Sequence, residues 1–247
     1  MLSLRDAAST PRLLVATDFD GTLAPLQDDP ETVEPLPAAV SALSTLCRVP
    51  ETHVCVISGR SLTDLWRRIP AIPGLLLRGS YGSEVHSPAS QPRPGSDLDR
   101  LHAILTRATH GTHARLERKT MGVAVHTRGL PRKEADNALT AARRAALEVQ
   151  GLREFPGIDV LDFSFSAYDK ATALREEIEL FAPTTVVVIG DDAEDEKMFA
   201  AARPRALTIK VGDTATRAEF SVPSPHAATQ ALAKLSEFRT LWATEHF

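Results

Sequence analysis

The segment LLVATDFDGTL, residues 13–23, joins an apolar run to two closely spaced acids. The run from Leu13 to Thr17 has the length and composition of a buried strand, and Asp18 and Asp20 follow it with one residue between them. Two carboxylates this close repel each other, and holding them at the end of a buried strand is costly. The segment therefore predicts a buried strand whose carboxyl end carries a chemical site.

Similar strand-length runs recur along the chain, at residues 53–57, 75–77, 184–190 and 207–211. Helical patterns accompany them, at residues 37–48, 62–69, 170–180 and 194–203. Near-continuous runs of Val, Ile and Leu indicate strands covered on both faces, which is typical of parallel sheets flanked by helices. The alternation of strands and helices predicts the same arrangement. We therefore expect an α/β fold with a doubly wound, Rossmann-like parallel-sheet core.

The middle of the chain has a different pattern. Residues 86–97 are rich in Pro and Ser and predict a loop or linker. Residues 113–129 and 158–165 alternate with period two, as strands with one solvated face do, and residues 131–149 have an amphipathic helical pattern. These patterns indicate a small α+β module inserted into the core. The predicted domains are a core, residues 1–85 and 166–247, and an inserted cap, residues 86–165.

The composition argues against several kinds of partner. The 247 residues carry 28 Lys and Arg against 32 Asp and Glu, with no long basic patch, so we expect no nucleic-acid partner. The apolar runs are shorter than a membrane span, and residues 1–11 lack the apolar core of a secretory signal. We therefore expect no membrane partner and a cytoplasmic location. Cys47 and Cys55 are expected to be unpaired thiols, and the expected state is a monomer.

Polar residues follow several of the predicted core strands. Asp18 and Asp20 follow the first strand, Ser58 follows residues 53–57, and Lys170 begins a predicted helix. Three further acids follow residues 184–190, namely Asp191, Asp192 and Asp195. A doubly wound fold binds its ligands beyond the carboxyl ends of its strands, so these side chains are predicted to share one site.

This set of side chains suits the cleavage of a phosphate ester. The reaction needs a nucleophile, a proton donor for the leaving oxygen, and positive charge around the phosphoryl oxygens. Asp18 and Asp191 would bind Mg²⁺, because this ion prefers oxygen ligands. Lys170 and the Ser58 hydroxyl would hold phosphate oxygens. The backbone N–H groups of residues 21–22 lie in a tight turn that can cradle an anion.

Simpler interpretations exist for several of these residues. Ser58 could cap the helix that follows it, and Lys170 could be a solvated lysine at a helix start. Asp192, Asp195 and Glu196 could simply favour the amino end of a helix electrostatically. In the middle of the chain, Glu117 and Lys119 could form a plain salt pair on a solvated sheet.

The polar clusters occur in the order D-x-D-G-T, S-G-R, a Lys and G-D-D-x-x-D. This set resembles the four motifs of the haloacid dehalogenase superfamily of phosphatases. The resemblance implies that Asp18 attacks phosphorus and forms an aspartyl-phosphate, and that Asp20 protonates the leaving oxygen and then activates a water. It also implies that Ser58 and Lys170 neutralise the phosphoryl group. The implied Mg²⁺ ligands are Asp18, Asp191 and the carbonyl of Asp20, with Asp192 and Asp195 in support.

Longer segments narrow the resemblance. ERKTMGVAVHTRG (117–129), DKATAL (169–174) and IKVGDTATRAEF (209–220) are similar to the trehalose-6-phosphate phosphatase family, and the match extends over residues 13–235. In that family the cap reads the sugar, which implies that Glu117, Lys119 and Asp162 contact it. The full implied substrate-binding set is Gly21, Thr22, Gly59, Arg60, Glu117, Lys119 and Asp162.

The expected function is that of a Mg²⁺-dependent phosphatase that hydrolyses a small-molecule sugar phosphate, trehalose 6-phosphate, through an aspartyl-phosphate. The chain departs from the family pattern at Tyr81, Asp162 and Ser164. A phosphatase for another glycosyl or cyclitol phosphate is therefore a second hypothesis. A third is a phosphosugar-binding regulatory protein with weak turnover, although every expected catalytic carboxylate is present.

Overall fold

The computed structural model describes residues 2–85, 95–202 and 205–247. Two compact units are present: one combines residues 1–86 with residues 168–247, and the other is residues 87–167. The predicted linker at 86–97 lies outside the described residues as far as 94, and its last two residues, Ser96 and Asp97, begin a helix.

The first unit is built on one seven-stranded sheet. Its strand order is β11-β10-β9-β1-β2-β3-β4, and every neighbouring pair is parallel except β3 with β4. The strands are β1 (Leu13–Thr17), β2 (Thr52–Ile57), β3 (Leu75–Gly79), β4 (Glu84–Val85), β9 (Thr185–Gly190), β10 (Ala206–Val211) and β11 (Phe220–Val222). The predicted doubly wound α/β fold is confirmed. The short antiparallel edge strand β4 was not predicted.

Helices cover both faces of this sheet. They are α1 (Leu4–Ala8), α2 (Pro37–Cys47), α3 (Leu62–Arg68), α6 (Lys170–Phe181), α7 (Ala193–Ala201) and α8 (Pro225–His246). Alternate residues of β1 enter two different apolar clusters: Leu13 and Val15 pack with α1, α2, α3 and α8, while Leu14 and Ala16 pack with α6 and α7. All five residues of β1 are therefore buried, which is why the strand is apolar throughout rather than alternating.

A buried arginine ties α8 to the loops at the amino ends of β1 and β2. Arg239 is 0% exposed. Its guanidinium donates to five backbone carbonyls and one hydroxyl, namely those of Ala8, Thr10, Pro11, Pro50, Glu51 and the Thr52 side chain. Burying a guanidinium is tolerable only because its donors are satisfied in this way.

The second unit is a four-stranded antiparallel sheet with two helices. Its order is β5-β6-β8-β7, with β5 (Arg115–Arg118), β6 (Gly122–His126), β7 (Arg153–Gly157) and β8 (Val160–Ser164). Val123, Val125 and Leu161 pack in one apolar cluster with α4 (Ser96–Ala108) and α5 (Arg132–Ala146). The register places Glu117 and Asp162 on either side of Ala124, so these two acids share the opposite face of the sheet.

Two further features bear on the sequence predictions. Cys47 and Cys55 are free thiols, and burial raises the pKa of Cys47 to about 11, so this thiol is unreactive near neutral pH. Across the part of the chain that the structure describes, every helix is too short or too polar to cross a bilayer.

Candidate active site

Asp18 directly follows β1. It lies in a group of four acids, Asp18, Asp191, Asp192 and Asp195, which we call the acidic centre. Its N–H donates to the carbonyl of Ile189 on β9 at 3.0 Å, so the main chain still follows the sheet at this point. The following turn closes when the Gly21 N–H donates to the Ala24 carbonyl at 2.8 Å, while Phe19 turns into the core. Asp18 is 3% exposed, and burial raises the pKa of its carboxyl well above the ordinary value.

Lys170, the first residue of α6, supplies the positive charge in this centre. Its Nζ lies 2.9 Å from Asp18 Oδ1, 2.9 Å from Asp195 Oδ1 and 3.6 Å from Asp192 Oδ1. The residue is 1% exposed, so the interpretation of Lys170 as a solvated lysine is wrong. Burial alone would lower the pKa of Lys170, but Asp18 and its neighbours hold that pKa well above the ordinary value.

Asp195 is fully committed to internal contacts. Oδ1 faces Lys170, and Oδ2 accepts from the backbone N–H groups of Asp191 at 2.7 Å and Asp192 at 2.9 Å. Asp192 and Asp195 also form a reciprocal capping box at the start of α7. A Cβ on Gly190 would lie 2.2 Å from Asp195 Cγ, so only glycine leaves room for this carboxylate over the end of β9.

Asp191 lies directly against the turn that follows Asp18. A Cβ on Gly21 would lie 2.1 Å from Asp191 Oδ2, and Gly21 has φ +71°, so glycine is required there for both space and conformation. Burial, followed by the charges of Asp195 and Asp192, raises the pKa of Asp191 to about 7. An additional positive charge at this carboxylate would therefore stabilise its ionised form.

The acidic centre has the donors that a hard divalent cation requires. Carboxylate oxygens of Asp18, Asp192 and Asp195 lie within 4.8 Å of one another. This trio is not the predicted ligand pair, which is Asp18 and Asp191. The three carboxylates lie close together because all of them face the Lys170 ammonium. Both oxygens of Asp195 are already engaged. Asp18 and Asp191, the pair predicted from the sequence, carry oxygen donors of the kind that Mg²⁺ prefers.

Asp20, the second acid of D-x-D-G-T, is held by an arginine. Arg60 donates from Nε to Asp20 Oδ2 and from Nη2 to Asp20 Oδ1, both at 2.7 Å. Arg60 also donates to Asp64 Oδ2 at 2.6 Å and to the Pro30 carbonyl at 3.0 Å. The sequence predicted Arg60 as a substrate-binding residue, yet in this structure its guanidinium orients Asp20. Asp64 in turn accepts from Arg68 Nε at 2.9 Å, which extends the chain of charges.

Ser58 is buried at the end of β2, and its Oγ accepts from the Arg60 N–H at 3.2 Å. The N-cap of α3 is Ser61, so the interpretation of Ser58 as a helix cap is wrong. Thr22 is also buried, and its Oγ1 has no hydrogen-bond partner among the described residues. Two hydroxyls at the strand ends are thus placed where an anion could use them.

A left-handed turn follows β3, the strand that lies beside β2 and Ser58. Ser80 and Tyr81 have φ +48° and +59°, which is uncommon for residues with a Cβ. The buried Glu84 braces this turn, because its Oε1 accepts from Ser80 Oγ at 3.0 Å and its Oε2 from the Leu62 N–H at 2.6 Å. The turn sets the Tyr81 ring against Gly59, where an added Cβ would lie 2.9 Å from the ring.

The predicted sugar-reading residues lie in the second unit, and each has a partner there. Lys119 Nζ lies 2.5 Å from Asp162 Oδ2, with side-chain exposures of 9% and 4%. Glu117 Oε2 lies 2.9 Å from His126 Nε2. Lys119 is therefore engaged in a buried pair with Asp162, and Glu117 contacts His126.

Sequence reasoning missed three residues that shape these sites. Asp64 and His126 orient Arg60 and Glu117. Both contacts are local in the chain: Asp64 lies four residues after Arg60, and His126 lies nine residues after Glu117 on the paired strand β6, so the i,i+4 spacing and the hairpin were usable signals. Lys210 was also missed, although a signal was present. It is a single charge inside the apolar run ALTIKV of β10, and such a residue in a covered strand needs a polar partner.

The arrangement of acids and a lysine at the carboxyl ends of β1 and β9, on a doubly wound sheet with an inserted second unit, defines a haloacid dehalogenase-like protein. The fold of a phosphatase of the haloalkanoate (HAD) enzyme superfamily from Bacteroides thetaiotaomicron matches it with a TM-score of 0.61, at 17% identity over 92% of this chain and 95% of that one. The family model described as Trehalose-phosphatase matches residues 16–236, and the chain belongs to that family. The family resemblance predicted from the sequence is therefore confirmed.

Two relatives show how far this likeness extends. The trehalose-phosphate phosphatase of Mycobacterium ulcerans is 32% identical over 256 residues, which cover 96% of this chain but 65% of that protein. The chain thus spans about two thirds of that relative's length. The C-terminal domain of the Candida albicans trehalose-6-phosphate phosphatase has the same fold, with a TM-score of 0.83 and 18% identity over 95% of each chain.

Proposed function

We propose that this protein is a Mg²⁺-dependent phosphatase that hydrolyses trehalose 6-phosphate to trehalose and phosphate. The observation that carries the proposal is the buried contact of Lys170 with Asp18 at the end of β1. A buried carboxylate beside a buried ammonium, with further acids around it, suits nucleophilic attack on a phosphate ester. Membership of the trehalose-phosphatase family supports the choice of substrate.

In the proposed reaction an oxygen of Asp18 forms a bond to phosphorus as the bond from phosphorus to the sugar oxygen breaks. Asp20 gives its proton to that sugar oxygen. Asp20 then takes a proton from a water, whose oxygen attacks phosphorus and releases phosphate from Asp18. Ser58 and Lys170 hold the phosphoryl oxygens, because a hydroxyl and an ammonium can donate to the charge that develops there.

The turn after β1 and the loop after β2 complete the proposed phosphate site. The Thr22 hydroxyl, which has no partner among the described residues, would face the phosphate from one side. The backbone N–H groups of Gly21 and Thr22, which the sequence predicted to cradle the anion, already donate to the carbonyls of Ala24 and Phe19. Gly59 would contribute only its backbone from the other side, since the Tyr81 ring fills the space that a side chain would take, and Arg60 would act on the phosphate through Asp20.

Mg²⁺ would be held by Asp18, Asp191 and the carbonyl of Asp20, with Asp192 and Asp195 in support. When bound, it would neutralise the negative charge that otherwise keeps a phosphate away from these carboxylates. The pKa of Asp191, about 7 without a metal, leaves this ligand partly protonated near neutral pH. Asp191 would therefore release a proton as the ion binds.

Glu117, Lys119 and Asp162 are proposed to bind the sugar through hydrogen bonds to its hydroxyls. Because Lys119 and Asp162 are already paired, they form a preorganised donor–acceptor unit. The same pairing motivates the second hypothesis, a phosphatase for another glycosyl or cyclitol phosphate, since Asp162 has a short side chain that Lys119 already engages.

A panel of sugar phosphates, assayed by phosphate release with Mg²⁺, tests the substrate. A preference for trehalose 6-phosphate is expected, and equal or faster turnover of another glycosyl or cyclitol phosphate would replace it with the second hypothesis. Asp18→Asn should abolish turnover of the panel and of p-nitrophenyl phosphate, while Asp28→Asn, at an exposed acid ten residues further along, should not. If wild-type protein and Asp18→Asn were equally inert, the regulatory binding protein would be the better interpretation.

A cytoplasmic monomer remains part of the proposal. The oligomeric state is checked by multi-angle light scattering of the purified chain. A stable dimer would contradict this part of the proposal without affecting the assignment of the active site.

A further inference from the structure

Lys210 is a buried lysine that the proposed reaction does not use. Leu207, Ile209 and Val211 of β10 enter the first apolar cluster, while Thr208 and Lys210 lie on the opposite face of the strand. Lys210 is 3% exposed. An ammonium buried in a sheet loses its hydration, so its place in the fold depends on a specific acceptor.

The acceptor of Lys210 is the backbone carbonyl of Asp191, to which its Nζ donates a hydrogen bond. The parallel register explains the reach, because Lys210 pairs with Gly190, the last residue of β9. Gly190 has no side chain to separate the lysine from the next peptide group. The lysine therefore extends along the sheet to the residue that follows the neighbouring strand.

Both backbone polar groups of Asp191 are held as a result. Its N–H donates to Asp195 Oδ2 at 2.7 Å, and its carbonyl accepts from Lys210. With the peptide groups on either side fixed, the Asp191 side chain is directed toward Gly21 and the turn after Asp18. A carbonyl left without this donor would need another partner, and the peptide group could then turn away from its present orientation.

We propose that Lys210 is a positioning residue for Asp191 and that it sets the affinity of the acidic centre for Mg²⁺. This inference depends on the proposed role of Asp191 as a metal ligand. Residues that orient metal ligands typically change metal affinity by about 10–100-fold when removed. Lys210→Met removes the donor and keeps the apolar volume, so it should weaken Mg²⁺ binding by a factor in this range.

The sign of the effect separates positioning from simple electrostatics. A buried ammonium repels a nearby divalent cation, so a residue that acted only through its charge would weaken Mg²⁺ binding in the wild-type protein. Its removal would then tighten the binding. Positioning predicts the opposite change, and a role confined to the stability of β10 predicts no change in the folded protein.

Isothermal titration of the full chain with MgCl₂, without substrate, measures the affinity directly. The matched control is Thr208→Val, which removes a buried hydrogen bond on the same face of the same strand, the one that Thr208 accepts from the Glu219 N–H at 2.9 Å. Lys210→Met should bind Mg²⁺ more weakly than wild type, and Thr208→Val should bind it as wild type does. Unchanged or tighter binding by Lys210→Met would overturn the proposal.

Two more variants test the hydrogen bond itself. Lys210→Gln retains an N–H donor without the charge and should recover most of the Mg²⁺ affinity that Lys210→Met loses. If both variants lost the same amount of Mg²⁺ affinity, the hydrogen bond to the Asp191 carbonyl would not be the cause, and the proposal would be overturned. If Lys210→Met does not fold, Lys210→Ala takes its place with the same expected direction. A wild-type protein that binds no Mg²⁺ would instead overturn the metal requirement of the proposed function, which is a different result from equal binding by wild type and variant.

Discussion

Lys170 is the ammonium that the carboxylates of Asp18, Asp192 and Asp195 share, so its removal should have a large and pH-dependent cost. Lys170→Met retains most of the buried volume of the side chain and leaves Asp18, Asp192 and Asp195 without a cation. Breaking a buried ion pair by removing one partner typically costs about 3–5 kcal/mol. The carboxylates can limit that cost by taking up a proton.

The cost of that proton gives the magnitude. A carboxyl of ordinary pKa 3.8 requires about 1.4 kcal/mol for each pH unit above that value to be kept neutral. This amounts to about 4 kcal/mol near pH 7 and under about 2 kcal/mol near pH 5. A carboxyl whose pKa is raised by folding destabilises the protein above the unfolded pKa, and the effect fades as the pH falls toward 3.8. Lys170 stays charged at both pH values, because its own pKa is raised.

Urea unfolding followed by circular dichroism, in EDTA near pH 7 and pH 5, measures both values. The control is Lys234→Met, because Lys234 and Glu237 form an exposed pair on α8 at 2.7 Å, and such pairs contribute less than about 1 kcal/mol. The free energy of unfolding of Lys170→Met should fall by about 4 kcal/mol near pH 7 and by less than half of that near pH 5. A loss of the same size at both pH values would refute the reasoning, as would a loss no larger than that of the control.

Three further predictions concern other parts of the molecule. Arg60→Ala should slow hydrolysis of a sugar phosphate more than that of p-nitrophenyl phosphate, because p-nitrophenolate is a good leaving group that needs no proton from an oriented Asp20. Steady-state kinetics on both substrates check this, and an equal loss of rate on both would contradict it. Arg239→Met should lower the free energy of unfolding by more than about 3 kcal/mol, since several buried carbonyls lose their donor. At temperatures where the variant is folded, its kcat should equal that of the wild type. Cys47 should react slowly with iodoacetamide near pH 8, since a pKa of about 11 leaves roughly one thiol in a thousand ionised. Mass spectrometry measures the rate, urea should accelerate the reaction, and rapid labelling of the folded protein would contradict the raised pKa of this thiol.

The sequence predicted the core well because its elements are decided by local patterns. Residues 13–17 read as a buried strand and form β1, since a strand covered on both faces is apolar at every position. The predicted strand at residues 207–211 corresponds to β10, which begins one residue earlier at Ala206. The same patterns place the acids of the candidate site at the ends of β1 and β9, where the parallel sheet brings them together.

Two helices were missed although the sequence carried signals for them. Leu98, Leu101 and Leu105 lie on one face of α4, but the helix directly follows a Pro/Ser-rich stretch whose composition indicates a loop. α1 has only five residues, and its signal is the capping box of Ser3 and Asp6. A helix of this length is stabilised by packing rather than by its own propensity, so local sequence indicates it poorly.

The contacts of the charged side chains could not be predicted in the same way. On α8, Phe238 and Trp242 are partly exposed, whereas Arg239 between them is fully buried. The reason lies in carbonyl groups more than 180 residues earlier in the chain, for which Arg239 is the donor. The contact of Arg60 with Asp20 likewise depends on how two loops meet, which periodicity does not encode.

Arg239 also bears on the order in which the chain can fold during synthesis. The carbonyls of Ala8 and Glu51 leave the ribosome 231 and 188 residues before their donor Arg239 does. Until then these groups depend on water, and β1 also waits for its partner β9. The amino-terminal half of the sheet is therefore expected to remain open to chaperones during translation, and a ribosome stalled before Arg239 would hold a nascent chain whose core cannot close.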